Sequence, residues 1–122
     1  MDNGGFKTDL KLRCYNFSLD ILRLADTLPN KRSVWIINDQ LLRSAMSVGA
    51  NLTEARASSS RLEFKKFYEI ALKSANETKY WLCLLKDAKL ADENQVDKLL
   101  KEADELSKML ACGVLKLKNI KF

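Results

Sequence analysis

The sequence predicts an all-α protein, an up-down-up-down antiparallel four-helix bundle that forms a single domain over residues 1–122. The chain contains only four glycines and one proline, so few turns interrupt it. Its many leucines, alanines, lysines and glutamates favour helix over strand. Apolar residues recur at spacings of three and four over four long stretches, and the short segments between these stretches place consecutive helices antiparallel. Only residues 1–5 are expected to be disordered.

The first two helices follow from this periodicity. The first is expected from about Lys7 to Leu28, and its apolar seam contains Leu10, Cys14, Phe17, Ile21, Leu24 and Leu28. Pro29 ends it, because proline disfavours the helical conformation in the residue before it. The second helix is expected from about Ser33 to Ala57, and its apolar side contains Ile37, Leu41, Leu42, Ala45, Met46, Val48 and Leu52.

The last two helices each begin at a capping signal. Ser60 and Glu63 form an S-x-x-E capping box, which starts a helix that continues to about Ala88. Asp92 and Gln95 give a similar start to the fourth helix. The apolar side of the fourth helix contains Val96, Leu99, Ala103, Leu106, Leu110, Gly113 and Leu117.

Gly49 raises the question of whether the second helix carries a phosphate loop or a packing face. It falls within the apolar arc, on a ridge of small residues with Ala45 and Thr53, because each residue turns a helix by about 100°. A phosphate loop needs several glycines after a strand, so we interpret Gly49 as a site of close helix packing. A polar stripe runs along the other side, through Arg43, Ser44, Ser47, Asn51, Glu54 and Ser58. This stripe is either a solvated face or a polar helix–helix or subunit interface, in which Asn51 and Glu54 make hydrogen bonds.

The third helix places polar residues where apolar ones are expected. Ser74 and Thr78 lie inside its apolar arc, and Glu77 lies at the edge of the arc. A carboxylate near the core needs a partner, because burying its charge alone is costly. Arg43 is the candidate partner, in the same chain or in a neighbouring one.

The aromatic pair of the third helix points to two faces. Trp81 belongs to the core arc, whereas Tyr80 lies about 100° away from it. Tyr80 is expected to form an outward apolar strip with Tyr68 and Leu72, and such a strip often serves assembly.

The composition excludes several kinds of chemistry. Histidine is absent, which removes the commonest general base and transition-metal ligand. Cys14, Cys83 and Cys112 form no C-x-x-C pair and lie beside apolar periodic positions, so each is interpreted as a small core residue. We therefore predict no catalytic residue, cofactor, metal or small-molecule substrate. The polar N-terminus and the lack of an apolar run of about 20 residues predict a cytoplasmic protein that does not associate with membranes.

The net charge of +5 permits contact with nucleic acid. Two basic clusters are candidates for binding phosphate. The first lies around the turn between the second and third helices and contains Arg56, Arg61, Lys65 and Lys66; the second lies at the C-terminus and contains Lys116, Lys118 and Lys121. Either cluster could equally be solvating charge.

Two separated motifs, "LRSAMSVGANLTEARASSSRLEF" and "IALKSANETKYWLCLL", carry a family resemblance. The chain resembles, from about Leu10 to Lys118, the bacterial four-helix-bundle proteins encoded in 23S rRNA intervening sequences. The pattern lies at Arg43-Ser44, Gly49-Ala50-Asn51, Glu54, Ala71-Leu72-Lys73, Glu77-Thr78 and Tyr80-Trp81-Leu82. The resemblance implies a bundle that assembles as a homo-oligomer, a ring of five, and it implies no enzymatic activity. A related protein, the accessory protein of diversity-generating retroelements, is a basic pentamer that binds nucleic acid and a reverse transcriptase.

Three functions are compatible with these features. The leading hypothesis is a non-enzymatic, homo-oligomeric binding module whose ligand is structured RNA or an RNA–protein complex, contacted through basic outer faces. The alternative is a scaffold for a protein partner without any role in nucleic-acid binding. The third is a small all-helical enzyme that binds an anionic substrate through Arg43, Glu54 and Glu77.

Overall fold

The computed structural model describes residues 4–119, and within them the side chains of residues 10–117. Its four helices are α1 (Gly4–Thr27), α2 (Arg32–Arg56), α3 (Arg61–Asp87) and α4 (Glu93–Asn119). Each helix packs against two neighbours, in the cyclic order α1, α2, α3, α4. The described residues contain no strand. The predicted all-α four-helix bundle is therefore confirmed.

The helix boundaries agree with the sequence periodicity to within a few residues. The largest difference is at the start of α1, which begins at Gly4 rather than near Lys7. The sequence predicts disorder for residues 1–5. Residues 1–3 lie outside the described residues, whereas Gly4 and Gly5 belong to the first turn of α1.

Both predicted helix starts are formed as expected. The backbone N–H of Glu63 donates to the Ser60 hydroxyl at 3.1 Å, which caps α3. The backbone N–H of Gln95 donates to the Asp92 carboxylate at 2.9 Å, which caps α4. These bonds satisfy donors that have no partner within the helix.

The end of α3 lacks the glycine that commonly closes a helix. Lys89 takes the left-handed conformation instead, with φ of 58°. This conformation lets the backbone N–H of Leu90 donate to the carbonyl oxygen of Leu85 at 2.9 Å. Leu90 then packs against the core, so a hydrophobic contact accompanies the strained residue.

The core is one apolar cluster built from all four helices. Its fully buried large side chains are Phe17, Ile21 and Leu24 of α1, Leu41, Val48 and Leu52 of α2, Leu82 and Leu85 of α3, and Val96, Leu106 and Leu110 of α4. Gly49 faces α1, where a Cβ atom on it would lie 3.5 Å from the Cβ of Cys14. The close packing predicted for Gly49 is thus present, although this distance is an ordinary van der Waals contact.

Polar contacts fix three of the four helix pairs. Arg13 of α1 donates two hydrogen bonds to Glu102 of α4, at 2.9 and 2.6 Å. Lys79 of α3 donates to the Ser107 hydroxyl of α4 at 2.9 Å. Between α2 and α3, Ser44 pairs with Thr78 and Ser47 pairs with Ser74. Residue numbers rise along α2 as they fall along α3, so these two helices are antiparallel.

The interpretation of all three cysteines as core residues is wrong for two of them. Cys14 is buried, and this burial raises the pKa of its thiol to about 11. Cys83 and Cys112 are exposed. They lie beside the apolar positions Leu82 and Leu110 in sequence, but a neighbour on a helix is displaced by 100° or more and can face solvent.

The predicted outward strip of Tyr68, Leu72 and Tyr80 is also wrong in its composition. Tyr80 is 61% exposed, as expected. Tyr68 and Leu72, however, are half-buried and pack against the core. Tyr68 can do so because α4 presents Gly113 to its ring, where a side chain would otherwise occupy the space.

Candidate functional site

The antiparallel order brings the first predicted basic cluster and Lys116 of the second to the same end of the bundle. The C-termini of α2 and α4 and the N-terminus of α3 meet there. We call this region the basic end and define it by Arg56, Arg61, Lys65, Lys66 and Lys116. Lys65 is half-buried, and the other four are exposed. The side chain of Lys118 and the whole of Lys121 lie outside the described residues.

A groove of about 430 Å³ joins the two clusters directly. Arg56 from the first cluster and Lys116 from the second lie in its wall. The remaining wall residues are Leu10, Tyr68, Met109, Cys112 and Gly113. The groove therefore has an apolar floor and a cation on two of its sides.

A second groove, of about 350 Å³, lies beside the first at the α2–α3 turn. Arg61 and Phe64 of α3 and Leu117 of α4 form part of its wall. Ser58, Ser59 and Ser60 of the turn complete it. The hydroxyl of Ser60 is already used as the cap of α3.

Phe64 and Tyr68 form a stacked pair that separates the two grooves. Their ring centroids are 5.1 Å apart and their planes differ by 18°. The two residues are one helical turn apart on α3, so their side chains lie on the same face. Each groove thus has one of the two rings in its wall.

The electrostatic environment of the basic end is mixed but mainly positive. Burial raises the pKa of the Tyr68 hydroxyl, and the positive charge of Arg56, which lies in the wall of the same groove, acts in the opposite direction. Glu54 and Glu63 are exposed at the same end of the bundle. An anion that contacts this region therefore meets clustered cations with two carboxylates nearby.

The predicted pairing of Glu77 with Arg43 is present in the structure. The Arg43 guanidinium lies 3.5 Å from the Glu77 carboxylate. The same carboxylate oxygen accepts a hydrogen bond of 2.9 Å from the Trp81 indole. Arg43 also donates to the side chain of Gln40. Tyr80 packs edge-on against Trp81, at 4.9 Å between centroids, so this cluster is a partly exposed structural contact between α2 and α3.

The polar stripe of α2 forms part of an interface with α3. The Thr78 hydroxyl donates to Ser44 at 3.0 Å, and the Ser74 hydroxyl donates to Ser47 at 2.9 Å. This seam explains why serine and threonine occupy the apolar arc of α3. Their small side chains let the two helices approach closely, and the hydroxyl groups form hydrogen bonds with one another. The alternative of a fully solvated stripe is thereby excluded.

Asn51 and Glu54 play different parts in that stripe from those predicted. The side-chain amide of Asn51 donates to the hydroxyl and the carbonyl oxygen of Ser47, both at 2.8 Å, so its bonds stay within α2. Glu54 is exposed. The helix–helix contacts are made by Ser44 and Ser47 instead.

The residues of the enzyme hypothesis are not assembled into one site. Arg43 and Glu77 are paired, but Glu54 follows Arg43 by three turns of α2, which is roughly 16 Å along the axis at about 1.5 Å per residue. Within the described residues, no group of three or more histidine, cysteine, aspartate or glutamate side chains is placed to hold a metal ion.

Sequence reasoning missed a third groove, between α1 and α2. It has a volume of about 470 Å³, and Lys11, Leu12, Tyr15, Ser18, Gly49, Ala50 and Thr53 form its wall. Leu12 and Tyr15 are 55% and 63% exposed. The available signal was a second apolar series on α1, Leu12, Tyr15, Leu19 and Leu22, with the same spacings of three and four as the core seam.

None of the described helices is both long and apolar enough to cross a bilayer.

Comparisons with known proteins agree on one family. The model of a family described as "23S rRNA-intervening sequence protein" matches residues 7–112. A crystal structure of a protein with unknown function from the S23 ribosomal protein family of Bacteroides thetaiotaomicron is similar to the chain, with a TM-score of 0.81 and 34% sequence identity. The match covers 86% of this chain and 97% of the other. Among curated proteins, none matches significantly.

Proposed function

The chain belongs to the 23S rRNA-intervening sequence protein family, and from this premise we propose that it is a non-enzymatic, homo-oligomeric module that binds structured RNA through its basic end. The observation that carries the proposal is the meeting of the first basic cluster with Lys116, which comes from a distant part of the sequence. Arg56 and Lys116 lie in the wall of one groove, and Lys65 and Lys66 follow within the second turn of α3.

The expected contacts are mainly to phosphate. Lysine and arginine side chains on one surface neutralise the backbone charge of RNA and release its bound counterions, which gives binding without strong sequence preference. Assembly would multiply a modest patch, because each additional subunit binds the same RNA at a high effective concentration.

The salt dependence of binding tests this proposal. We expect fluorescence anisotropy to show binding of a labelled RNA hairpin whose affinity falls by orders of magnitude between about 50 and 200 mM salt, as it does when several phosphates are contacted. The control ligand is a neutral peptide nucleic acid of the same sequence. If the wild-type protein fails to bind RNA even at low salt, the protein-scaffold alternative replaces this proposal.

The surface proposed for assembly is the exposed apolar face of α1. Leu12, Tyr15 and Leu22 are 55%, 63% and 44% exposed, and Leu19 between them is half-buried. Their spacings of three and four form a straight strip of the kind that packs against another helix. This strip takes the place of the one that the sequence placed on α3.

Light scattering after size exclusion is expected to give the mass of an oligomer larger than a dimer, a pentamer by the family resemblance. The double substitution Leu12→Glu and Leu22→Glu should reduce this mass to that of a monomer while the helical content is unchanged, because charges are then placed in the strip. Leu62→Glu is the matched control, since Leu62 is 77% exposed at the start of α3. A monomeric wild-type protein at micromolar concentration would contradict the assembly part of the proposal.

A further inference from the structure

The two grooves at the basic end have features that phosphate binding alone does not need. A surface that contacts only phosphates requires cations and hydrogen-bond donors. Here, each groove also contains an aromatic ring and further apolar side chains, Leu10 and Met109 in one and Leu117 in the other. A flat ring beside cations is the arrangement with which proteins hold unpaired nucleotides, since bases stack on aromatic side chains while the cations follow the backbone.

We propose that the Phe64–Tyr68 pair and its two flanking grooves bind the bases of unpaired RNA nucleotides, so that the preferred ligand is single-stranded RNA such as the loop of a structured RNA. This inference rests on the proposed RNA-binding function and narrows it. Double-stranded RNA does not fit the same grooves, because its bases are stacked and paired inside the helix and only its backbone and groove edges are exposed.

The dimensions and positions of the grooves support this assignment. Volumes of about 350 and 430 Å³ lie at the lower end of the range for small-ligand pockets, roughly 300–1,000 Å³. Each groove has a cation in its wall next to a ring: Arg61 beside Phe64, and Arg56 and Lys116 beside Tyr68. A base that enters a groove therefore places its own phosphate near a positive charge.

Gly113 is the residue that shapes this site. A Cβ atom at this position would lie 2.9 Å from Cδ2 of Tyr68 and closer still to Cε2. Tyr68 therefore lies directly against the backbone of α4, and the groove extends along its ring to Lys116. Gly113 meets the Cδ2–Cε2 edge of the ring, whereas Phe64 stacks against one of its faces.

Tyr80 provides an internal comparison. It is 61% exposed on the same helix as Tyr68 and packs edge-on against Trp81. It lies in the wall of neither groove of the basic end. Tyr80 is thus a control for Tyr68, with the same residue type on the same helix but away from the basic end.

The first test compares ligands with the wild-type protein. Anisotropy at about 50 mM salt is measured for a labelled 12-nucleotide oligouridine, for a ribose-phosphate 12-mer of the same charge without bases, and for a short RNA duplex with the same number of phosphates. We expect the oligouridine to bind about tenfold to a hundredfold more tightly than the abasic strand, as one base stacked on an aromatic residue typically provides. The duplex should bind no more tightly than the abasic strand.

The second test locates the effect. Phe64→Leu and Tyr68→Leu keep apolar walls and all charges, and each is expected to reduce the preference for oligouridine over the abasic strand at least fivefold. Neither should change the affinity for the abasic strand or its salt dependence. Tyr80→Leu should leave both affinities unchanged. Circular dichroism confirms that each variant is folded.

The outcomes separate this inference from the function on which it rests. Equal binding of the oligouridine and the abasic strand overturns the inference and leaves phosphate binding intact. Tighter binding of the duplex than of the oligouridine, or an equal loss from Tyr80→Leu, also overturns it. Absence of binding to all three ligands contradicts the proposed function itself.

Discussion

Reversing the charges of Lys65 and Lys66 together, as Lys65→Glu and Lys66→Glu, is expected to weaken RNA binding at about 50 mM salt by roughly one to two orders of magnitude. Each phosphate contact with single-stranded RNA contributes about 0.7 to the slope of log affinity against log salt concentration. Loss of two contacts should therefore lower this slope by about 1.4 for each bound subunit. The bundle should remain folded, because Lys66 is exposed and Lys65 only half-buried.

A matched control exists at the opposite end of the bundle. Lys98 and Lys101 are exposed on the early turns of α4, so Lys98→Glu with Lys101→Glu changes the net charge by the same amount away from the basic end. We expect this control to change RNA affinity little. Equal losses in both double variants would show that only the overall charge matters and would contradict a localised site.

The C-terminal cluster is tested separately. Reversal of Lys116, Lys118 and Lys121 should also weaken binding, because Lys116 shares a groove with Arg56. The slope of log affinity against log salt concentration is then measured for each of the two reversals and for their combination. Comparison of these slopes shows whether the clusters act on one RNA. If only one reversal has an effect, the two clusters do not form the joint surface that the proposal requires.

Alanine is expected to have opposite effects at Gly49 of α2 and Gly113 of α4. Gly49→Ala should stabilise the protein by about 0.5–1 kcal/mol, because alanine is the better helix former and its Cβ meets Cys14 at an ordinary distance of 3.5 Å. Gly113→Ala should destabilise it by about 1–2 kcal/mol, because the new methyl group overlaps the Tyr68 ring, and overpacking exceeds the gain in helix propensity.

Thermal and urea unfolding followed by circular dichroism measure both changes. A change of 1 kcal/mol corresponds to a shift in Tm of about 3–6 °C for a domain of this size. The double variant Gly113→Ala with Tyr68→Leu isolates the cause, since removal of the ring should relieve the overlap. A more stable Gly113→Ala variant would mean that Tyr68 does not lie against α4 as described.

Gly49→Leu is expected to destabilise the protein, because a larger side chain would press on the backbone of α1 beside Cys14.

The helices and several contacts follow from the sequence alone, because they depend on local spacing. Apolar residues at intervals of three and four define one face of a helix whatever surrounds it. Ser60 and Asp92 cap their helices through residues three positions away. Even the pairing of Glu77 with Arg43 could be predicted. A carboxylate at the edge of a core requires a cationic partner, and the short connection between α2 and α3 makes these helices antiparallel neighbours.

Other features depend on which helix faces which. The sequence shows Tyr68 and Leu72 beside the core arc, and only the position of Gly113 on α4 decides that Tyr68 turns inward. Cys83 follows the core residue Leu82, and Cys112 lies two residues after the core residue Leu110. Both cysteines are nevertheless exposed, because the rotation of each helix within the bundle sets the edge of its buried arc. The sequence likewise contains two basic clusters far apart. Arg56 of the first and Lys116 of the second meet in one groove. Their meeting is a consequence of the antiparallel packing of α2, α3 and α4, because local periodicity does not determine which helix ends lie side by side.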